Sequence, residues 1–179
     1  LDISSTSVKL LELVKDGDDN YKVESMAIEP LPDNAVAEKN IQDAEAVGET
    51  IQKAVKRSGT KIKDAAVAVA GSAVITKIIT MPANLSESDL EIQIEMEADQ
   101  YIPYPLDEIN LDFEVMGPTE NNPDTIDVLL AASRSENIEM RSEALEIGGL
   151  KPKIMDVEAY TIENSAALIT SQIELGEGE

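Results

Sequence analysis

The first nine residues constrain the fold of this chain most strongly. Residues 2–9 read Asp-Ile-Ser-Ser-Thr-Ser-Val-Lys, so a carboxylate, four consecutive hydroxyls and a cation lead into an apolar-rich run from Val8 to Val14. This pattern predicts a strand ending at Ile3, a tight polar turn and a second strand. Such a turn can present backbone N–H groups and hydroxyls to phosphate oxygens, with Lys9 as a point charge and Asp2 placed to hold a metal ion or its water. A Ser/Thr-rich hairpin with a solvated lysine is the alternative interpretation, because polar turns are common.

Beyond this hairpin, apolar runs and periodic stripes predict a mixed α/β protein. Further strands are predicted at Tyr21–Ile28, Ala65–Ala70, Val74–Met81, Asp112–Met116, Thr125–Ala132 and Lys153–Val157. Helices are predicted from the cap Asp43 to Ser58, from the cap Ser86 to Tyr101, from the cap Ser135 to Gly148, and from Ala159 to Ile173. Gly71-Ser72 is predicted to mark a boundary, so that a strand–helix–strand–strand–helix unit interrupts a strand–helix unit.

Composition excludes several classes of function. The chain contains no cysteine and no histidine, which rules out disulfides, cysteine-ligated metals and histidine-dependent nucleophilic catalysis within it. A net charge of −22 argues against nucleic acid and against direct binding to an anionic membrane surface. No apolar run approaches the roughly 18–20 residues of a membrane span, so direct membrane insertion is not expected. Acidic pairs such as Glu91/Glu95 and Glu95/Asp99 are interpreted as a solvated helix face, because carboxylates are frequent throughout the chain.

Several longer segments resemble a known family. They are Glu29–Pro32, Ala65–Ile75, Glu97–Pro105, Asn110–Val115 and Asp156–Tyr160. The opening hairpin resembles the first phosphate-binding hairpin of the actin-like ATPases. Taken together, the segments resemble the PilM family of type IV pilus assembly proteins, itself similar to the cell-division protein FtsA, from Leu1 to about Leu168.

The resemblance implies an α/β fold in which an actin-like (ribonuclease H-like) subdomain 1A carries an inserted FtsA-type 1C (SHS2-like) subdomain. Residues 1–74 and 150–179 would form an incomplete 1A, and residues 75–149 would form 1C. The chain begins with Leu1 and lacks the second phosphate loop and the adenosine motif of the family. We therefore expect it to be an N-terminal fragment of a longer protein.

The resemblance also implies that the complete protein binds ATP with Mg²⁺. The candidate nucleotide contacts are Asp2, Ser4, Ser5, Thr6, Ser7 and Lys9, and the candidate metal contacts are Asp2 and Glu158. Ser4 stands where many actin-like proteins have glycine, and its Cβ can obstruct close approach of the backbone to phosphate. In the family the second phosphate loop and the adenosine motif would lie beyond residue 179, so we expect this chain by itself to bind ATP weakly or not at all. Glu158 has a second interpretation, as an acid at the positive end of a helix dipole.

The segment from Tyr101 to Leu106, Tyr-Ile-Pro-Tyr-Pro-Leu, has the most unusual local composition. One interpretation is a helix terminator whose tyrosines cover the core. The other is a groove wall that receives a peptide, since rigid aromatic residues lose little entropy on binding. The resemblance implies that the N-terminal cytoplasmic tail of the membrane protein PilN binds in a groove between 1A and 1C. The candidate groove residues are Val74, Ile78, Thr80, Tyr101, Pro103 and Tyr104.

The expected function is that of a cytoplasmic assembly factor of the type IV pilus machine, linked to twitching motility. It would sit at the inner face of the inner membrane through PilN, beside other inner-membrane pilus assembly proteins. Nucleotide binding would act as a signal, with slow or no hydrolysis. Two alternatives stay open at this point. An actin-like small-molecule kinase would need a catalytic base and a substrate pocket, and an FtsA-like cell-division protein would form filaments.

Overall fold

The computed structural model describes residues 1–17 and 20–170. In chain order the strands are β1 (Asp2–Ile3), β2 (Ser7–Lys15), β3 (Tyr21–Pro30), β4 (Val36–Ala37), β5 (Asn40–Ile41), β6 (Asp64–Val69), β7 (Val74–Pro82), β8 (Ile109–Thr119), β9 (Asn122–Arg134) and β10 (Lys151–Val157). The helices are α1 (Ala44–Ser58), α2 (Glu87–Tyr101), α3 (Ser135–Ile147) and α4 (Glu158–Thr170). The predicted continuation of α4 to Ile173 lies outside the described residues, as do Asp18 and Asp19 between β2 and β3.

The chain divides into two compact units. The first combines Leu1–Gly71 with the described residues from Glu139 to 170, and the second is Ser72–Ile138. The sequence placed the boundaries after residues 74 and 149. In the structure the second division falls within α3, whose C-terminal half buries Ala144 and Leu145 in the core of the first unit. The assignment of these residues to subdomains 1A and 1C stays a prediction. Residues 171–179, which the sequence assigned to the first unit, lie outside the described residues.

The first unit contains an antiparallel sheet of order β1-β2-β3 and a parallel pair formed by β6 and β10. Helix α1 packs against β2 and β3. Its bounds follow from its caps: the Asp43 carboxylate accepts from the Ala46 amide at 2.9 Å, and Gly59 ends the helix at φ +74°. The buried stripe of α1 is Val47, Ile51 and Ala54, at the spacing of one apolar helix face.

Two glycines allow α1 and α3 to approach closely. A Cβ added to Gly48 would lie 2.5 Å from the Ile147 Cβ, and one added to Gly148 would lie within 3.0 Å of the Ile51 side chain. Since side-chain atoms do not approach this closely in packed interiors, both positions require a residue without a Cβ.

The second unit is an antiparallel sheet of order β7-β9-β8 with α2 packed on one face. Ser86 caps α2 by accepting from the Asp89 amide at 3.2 Å, as the sequence predicted. The core side of the helix is the stripe Leu90, Ile94 and Ala98. Within residues 1–17 and 20–170, no helix is long and apolar enough to cross a membrane.

Candidate functional site

The opening hairpin forms as the sequence predicted. Asp2 lies opposite Lys9 and Ile3 opposite Val8 in the ladder of β1 and β2. Ser4 closes the turn, because its amide and its hydroxyl donate to the Ser7 carbonyl at 3.0 and 2.9 Å. The Ser4 and Ser7 hydroxyls also lie 3.2 Å apart. Two of the four predicted hydroxyl contacts are therefore engaged within the turn.

The remaining polar groups of the hairpin face solvent. The side chains of Ser5 and Thr6 are exposed. The Lys9 ammonium lies 2.8 Å from the Asp2 carboxylate, and both side chains are about half exposed. An ion pair this exposed contributes roughly 0–1 kcal/mol to stability, so the pair can be exchanged for another partner at little cost. The hydroxyls and the ammonium are suited to an oxyanion such as phosphate.

Glu158, the other candidate metal contact, begins α4 directly after β10. It follows the carboxyl end of a parallel strand pair, where ligands commonly bind in open α/β sheets. Its carboxylate lies 2.8 Å from the ammonium of Lys39. Lys39 belongs to the turn between β4 and β5, a hairpin that the sequence did not predict.

A buried arginine, Arg141, is hydrogen-bonded to the backbone of Lys39, one member of this ion pair. The Arg141 side chain of α3 donates from Nε to the Ala68 carbonyl at 3.2 Å and from a terminal nitrogen to the Lys39 carbonyl at 2.9 Å. Burial lowers the pKa of Arg141, while the negative charge of Glu158 opposes that shift. Arg141 was not among the residues predicted from the sequence. Its spacing from Ala144 and Leu145 places it on the buried face of α3, and a cation in that position was the available signal.

The candidate metal contacts do not form a metal site by themselves. Asp2 is paired with Lys9, and Glu158 is paired with Lys39. The part of the chain that the structure describes holds no group of three or more acidic, histidine or cysteine side chains placed to bind a metal. The metal contacts at Asp2 and Glu158 stay predictions.

The candidate groove residues all lie in the second unit. Helix α2 ends where Ile102 donates its amide to the Ala98 carbonyl at 2.9 Å, one residue before Pro103. Tyr101 and Tyr104 are exposed, so they do not cover the core. Each ring lies beneath a cation: the Lys77 ammonium is 5.3 Å from the Tyr101 ring centre, and the Arg134 guanidinium carbon is 5.6 Å from that of Tyr104.

The groove residues divide between the two faces of the sheet. Along β7, Ile79 and Met81 are buried against α2, and Lys77 reaches Tyr101 on that side. Val74, Ile78 and Thr80 alternate with these positions and therefore lie on the opposite face. Ile78 is 54% exposed, and Thr80 donates to the Asp127 carboxylate at 3.1 Å. Within the described residues β7 pairs only with β9 and is an edge strand of its sheet. The candidates on β7 and the candidate Tyr101 therefore lie on opposite faces of the sheet at this edge.

The comparisons with known proteins decide the family. The model of the family described as type IV pilus assembly protein PilM matches residues 1–178. The chain belongs to the PilM family. This membership confirms the resemblance noted in the sequence, and it favours pilus assembly over the kinase and cell-division alternatives.

A solved structure is also similar to this PilM-family chain. It is described as a PilM–PilN type IV pilus biogenesis complex, and the matched chain is 26% identical with a TM-score of 0.79. The match covers 93% of this chain and 50% of that chain. This chain therefore spans about half the length of the protein it matches. The mixed α/β architecture predicted from the sequence agrees with this similarity.

Proposed function

We propose that the protein to which this chain belongs is an assembly factor of the type IV pilus that binds the N-terminal cytoplasmic tail of PilN. The observation that carries the proposal is the similarity, over 93% of this chain, to a protein from a PilM–PilN complex. On this proposal the first unit corresponds to subdomain 1A of an actin-like fold and the second to an inserted 1C. The protein would act in the cytoplasm, held at the inner membrane through PilN beside other pilus assembly proteins.

The second unit offers chemistry suited to an extended peptide. An edge strand can share main-chain hydrogen bonds with an added strand, and side-chain pockets on either face then provide specificity. The edge of β7 has the exposed Ile78 on one face and the Tyr101 ring on the other. Because each tyrosine is already paired with a cation, its ring loses little conformational freedom when a partner covers it.

A calorimetric titration tests the proposed partner. A synthetic peptide of the PilN N-terminal tail should give a saturable isotherm with this chain. A scrambled peptide of the same composition should give only heats of dilution. It is the control for a purely electrostatic attraction to a chain of charge −22, which would not depend on residue order. Equal binding of both peptides, or no binding of either, contradicts the proposal.

The complete protein is further proposed to bind ATP with Mg²⁺ as a conformational signal, with slow or no hydrolysis. Support comes from the exposed hydroxyls of Ser5 and Thr6 and from the exchangeable ion pair of Lys9. The Ser4 hydroxyl is engaged with the Ser7 carbonyl inside the turn, and its Cβ can obstruct close approach of a backbone to a phosphate. Both features favour weak ATP binding by this chain alone. A titration of this chain with ATP and Mg²⁺ that saturates at micromolar concentration contradicts this expectation.

A further inference from the structure

The turn between β4 and β5 has a strained backbone. Its central residues, Glu38 and Lys39, adopt φ of +49° and +66°. Positive φ at both central positions is typical of a type I′ hairpin turn, which normally carries Asn-Gly or a similar pair because residues with a larger side chain adopt this conformation at a cost. The strands that flank the turn have two residues each, so their own pairing offers little to offset that cost.

Other elements of the first unit hold the turn in place. Arg141 of α3 donates to the Lys39 carbonyl, and its Nε anchors the same side chain to Ala68 at the carboxyl end of β6. On the opposite side of the residue, the Lys39 ammonium contacts Glu158 of α4. The strained turn is thus restrained at both its backbone and its side chain.

These restraints differ in strength. Arg141 is 3% exposed, and a hydrogen bond from a buried, charged donor is strong and costly to break. The Lys39 and Glu158 side chains are 57% and 34% exposed, and water and salt weaken an ion pair at that exposure. Arg141 is therefore the main restraint, and the ion pair can be exchanged.

We propose that the Glu38–Lys39 turn is a strained latch, held closed by Arg141, whose release uncovers the Glu158 carboxylate and removes the Lys39 charge from the carboxyl ends of β6 and β10. Arg141 acts as a positioning residue, since it fixes the turn that brings Lys39 to Glu158. The contacts that carry this inference do not involve β7 or the segment from Tyr101 to Leu106, so it does not rest on the proposed peptide binding, and it does not require Glu158 to bind a metal ion.

Hydrogen exchange measured by mass spectrometry tests the latch. In Arg141→Met, exchange across residues 35–42 should be faster by about tenfold, the change expected when one hydrogen bond of this kind is lost. Exchange in β8 and β9 should stay unchanged and serves as the internal reference. Glu38→Gly should slow exchange across residues 35–42 because glycine adopts positive φ without strain.

The double variant decides between strain and simple loss of a contact. Adding Glu38→Gly to Arg141→Met should restore much of the protection, because a relaxed turn no longer depends on the arginine. Asn34→Gly is the matched control, since Asn34 also has positive φ, at +65°, but lies outside the turn. It should give no restoration. Equal restoration by both glycines, or none by Glu38→Gly, overturns the proposal.

A milder variant covers the case in which Arg141→Met does not fold. Arg141→Lys keeps the positive charge but lacks the planar fork that reaches both Ala68 and Lys39. It should show the same local increase in exchange and the same restoration by Glu38→Gly. Unchanged exchange across residues 35–42 in Arg141→Lys would overturn the latch as well.

Discussion

At the scale of single residues, the structure depends on glycines at close helix contacts, on non-glycine residues with positive φ and on one buried charge. Gly48 and Gly148 have no Cβ and so allow close contact with Ile147 and Ile51. Glu38 and Lys39 have positive φ, a conformation that glycine adopts more easily. Arg141 places a charge among buried residues and is bonded to backbone carbonyls. None of these features changes the hydrophobic pattern strongly. The pattern therefore predicted the helices and strands better than it predicted the contacts between them.

The close approach at Gly48 leads to the first prediction. Gly48→Ala should lower the free energy of unfolding by about 1–3 kcal/mol, because the added methyl overlaps Ile147 and outweighs the better helix propensity of alanine. Urea unfolding followed by circular dichroism measures the change. Gly71→Ala is the control, since a Cβ there meets nothing within 4 Å; its effect should stay within about 0.5 kcal/mol. Equal stability of Gly48→Ala and the parent chain would refute the close helix contact.

Some contacts of the candidate site residues could be predicted from the sequence, and others could not. The hairpin of Asp2 to Lys9 could be predicted because consecutive polar residues between apolar runs specify a turn locally. The partner of Glu158 could not be predicted from a local pattern. Lys39 meets Glu158 across 119 positions of sequence, and no local pattern encodes such a contact.

At the scale of elements, caps and apolar stripes fixed the helices closely. Helix α1 begins after the predicted cap Asp43 and ends at the predicted Ser58, and α2 begins after the predicted cap Ser86. Strands β4 and β5 were missed because two residues are too few to show alternation and their turn contains no Gly, Asn or Pro at its centre.

The groove residues were placed together because they were chosen by resemblance and composition. The alternation of β7 divides them between two faces.

The N-cap of α1 provides the second prediction. Asp43→Ala should cost about 1 kcal/mol of stability, because the Ala46 amide loses its acceptor. Asp43→Asn, which retains an acceptor at the same place, should remain close to the parent chain. Thermal or urea unfolding distinguishes the two variants. A loss of similar size in both would mean that charge, and not capping, matters at this position.

The exposed face of β7 provides the third prediction. Ile78→Glu should weaken binding of the PilN peptide by about tenfold or more, because it places an acid in the proposed contact without disturbing the core. Ile92→Glu is the matched control: Ile92 is 59% exposed and belongs to α2 in the same unit. It should bind as the parent chain does. Similar affinities for both variants, by calorimetry, would exclude the Ile78 face from the contact.

At the scale of the whole molecule, charge is the dominant feature. A net charge of −22 over 179 residues destabilises a compact state through self-repulsion. Three of the five described ion pairs are about half exposed or more on both sides and offset little of this repulsion.

The fourth prediction follows from this charge. The melting temperature should rise as KCl is increased from about 20 to 300 mM, because screening weakens the repulsion over distances beyond roughly 10 Å. Differential scanning fluorimetry or calorimetry measures the shift. A melting temperature that falls over this range would show that attractive ion pairs outweigh the repulsion.

The boundaries of the two units depend on tertiary contacts as well as on local sequence. Gly71-Ser72 is a turn signal between two strand patterns, and the first division of the structure falls at that pair. The second boundary falls inside α3, where helical periodicity continues without interruption. Which unit buries each half of a helix depends on tertiary packing, and local sequence does not encode it.

The most direct test of the central claim is a map of backbone amide chemical shifts as the PilN N-terminal peptide is added to isotope-labelled protein. We expect saturable changes concentrated in β7 and in residues 101–106, and none with a scrambled peptide. Changes restricted to the first unit, or absent at saturating peptide, would contradict the claim that the second unit of this chain is a docking site for the pilus partner.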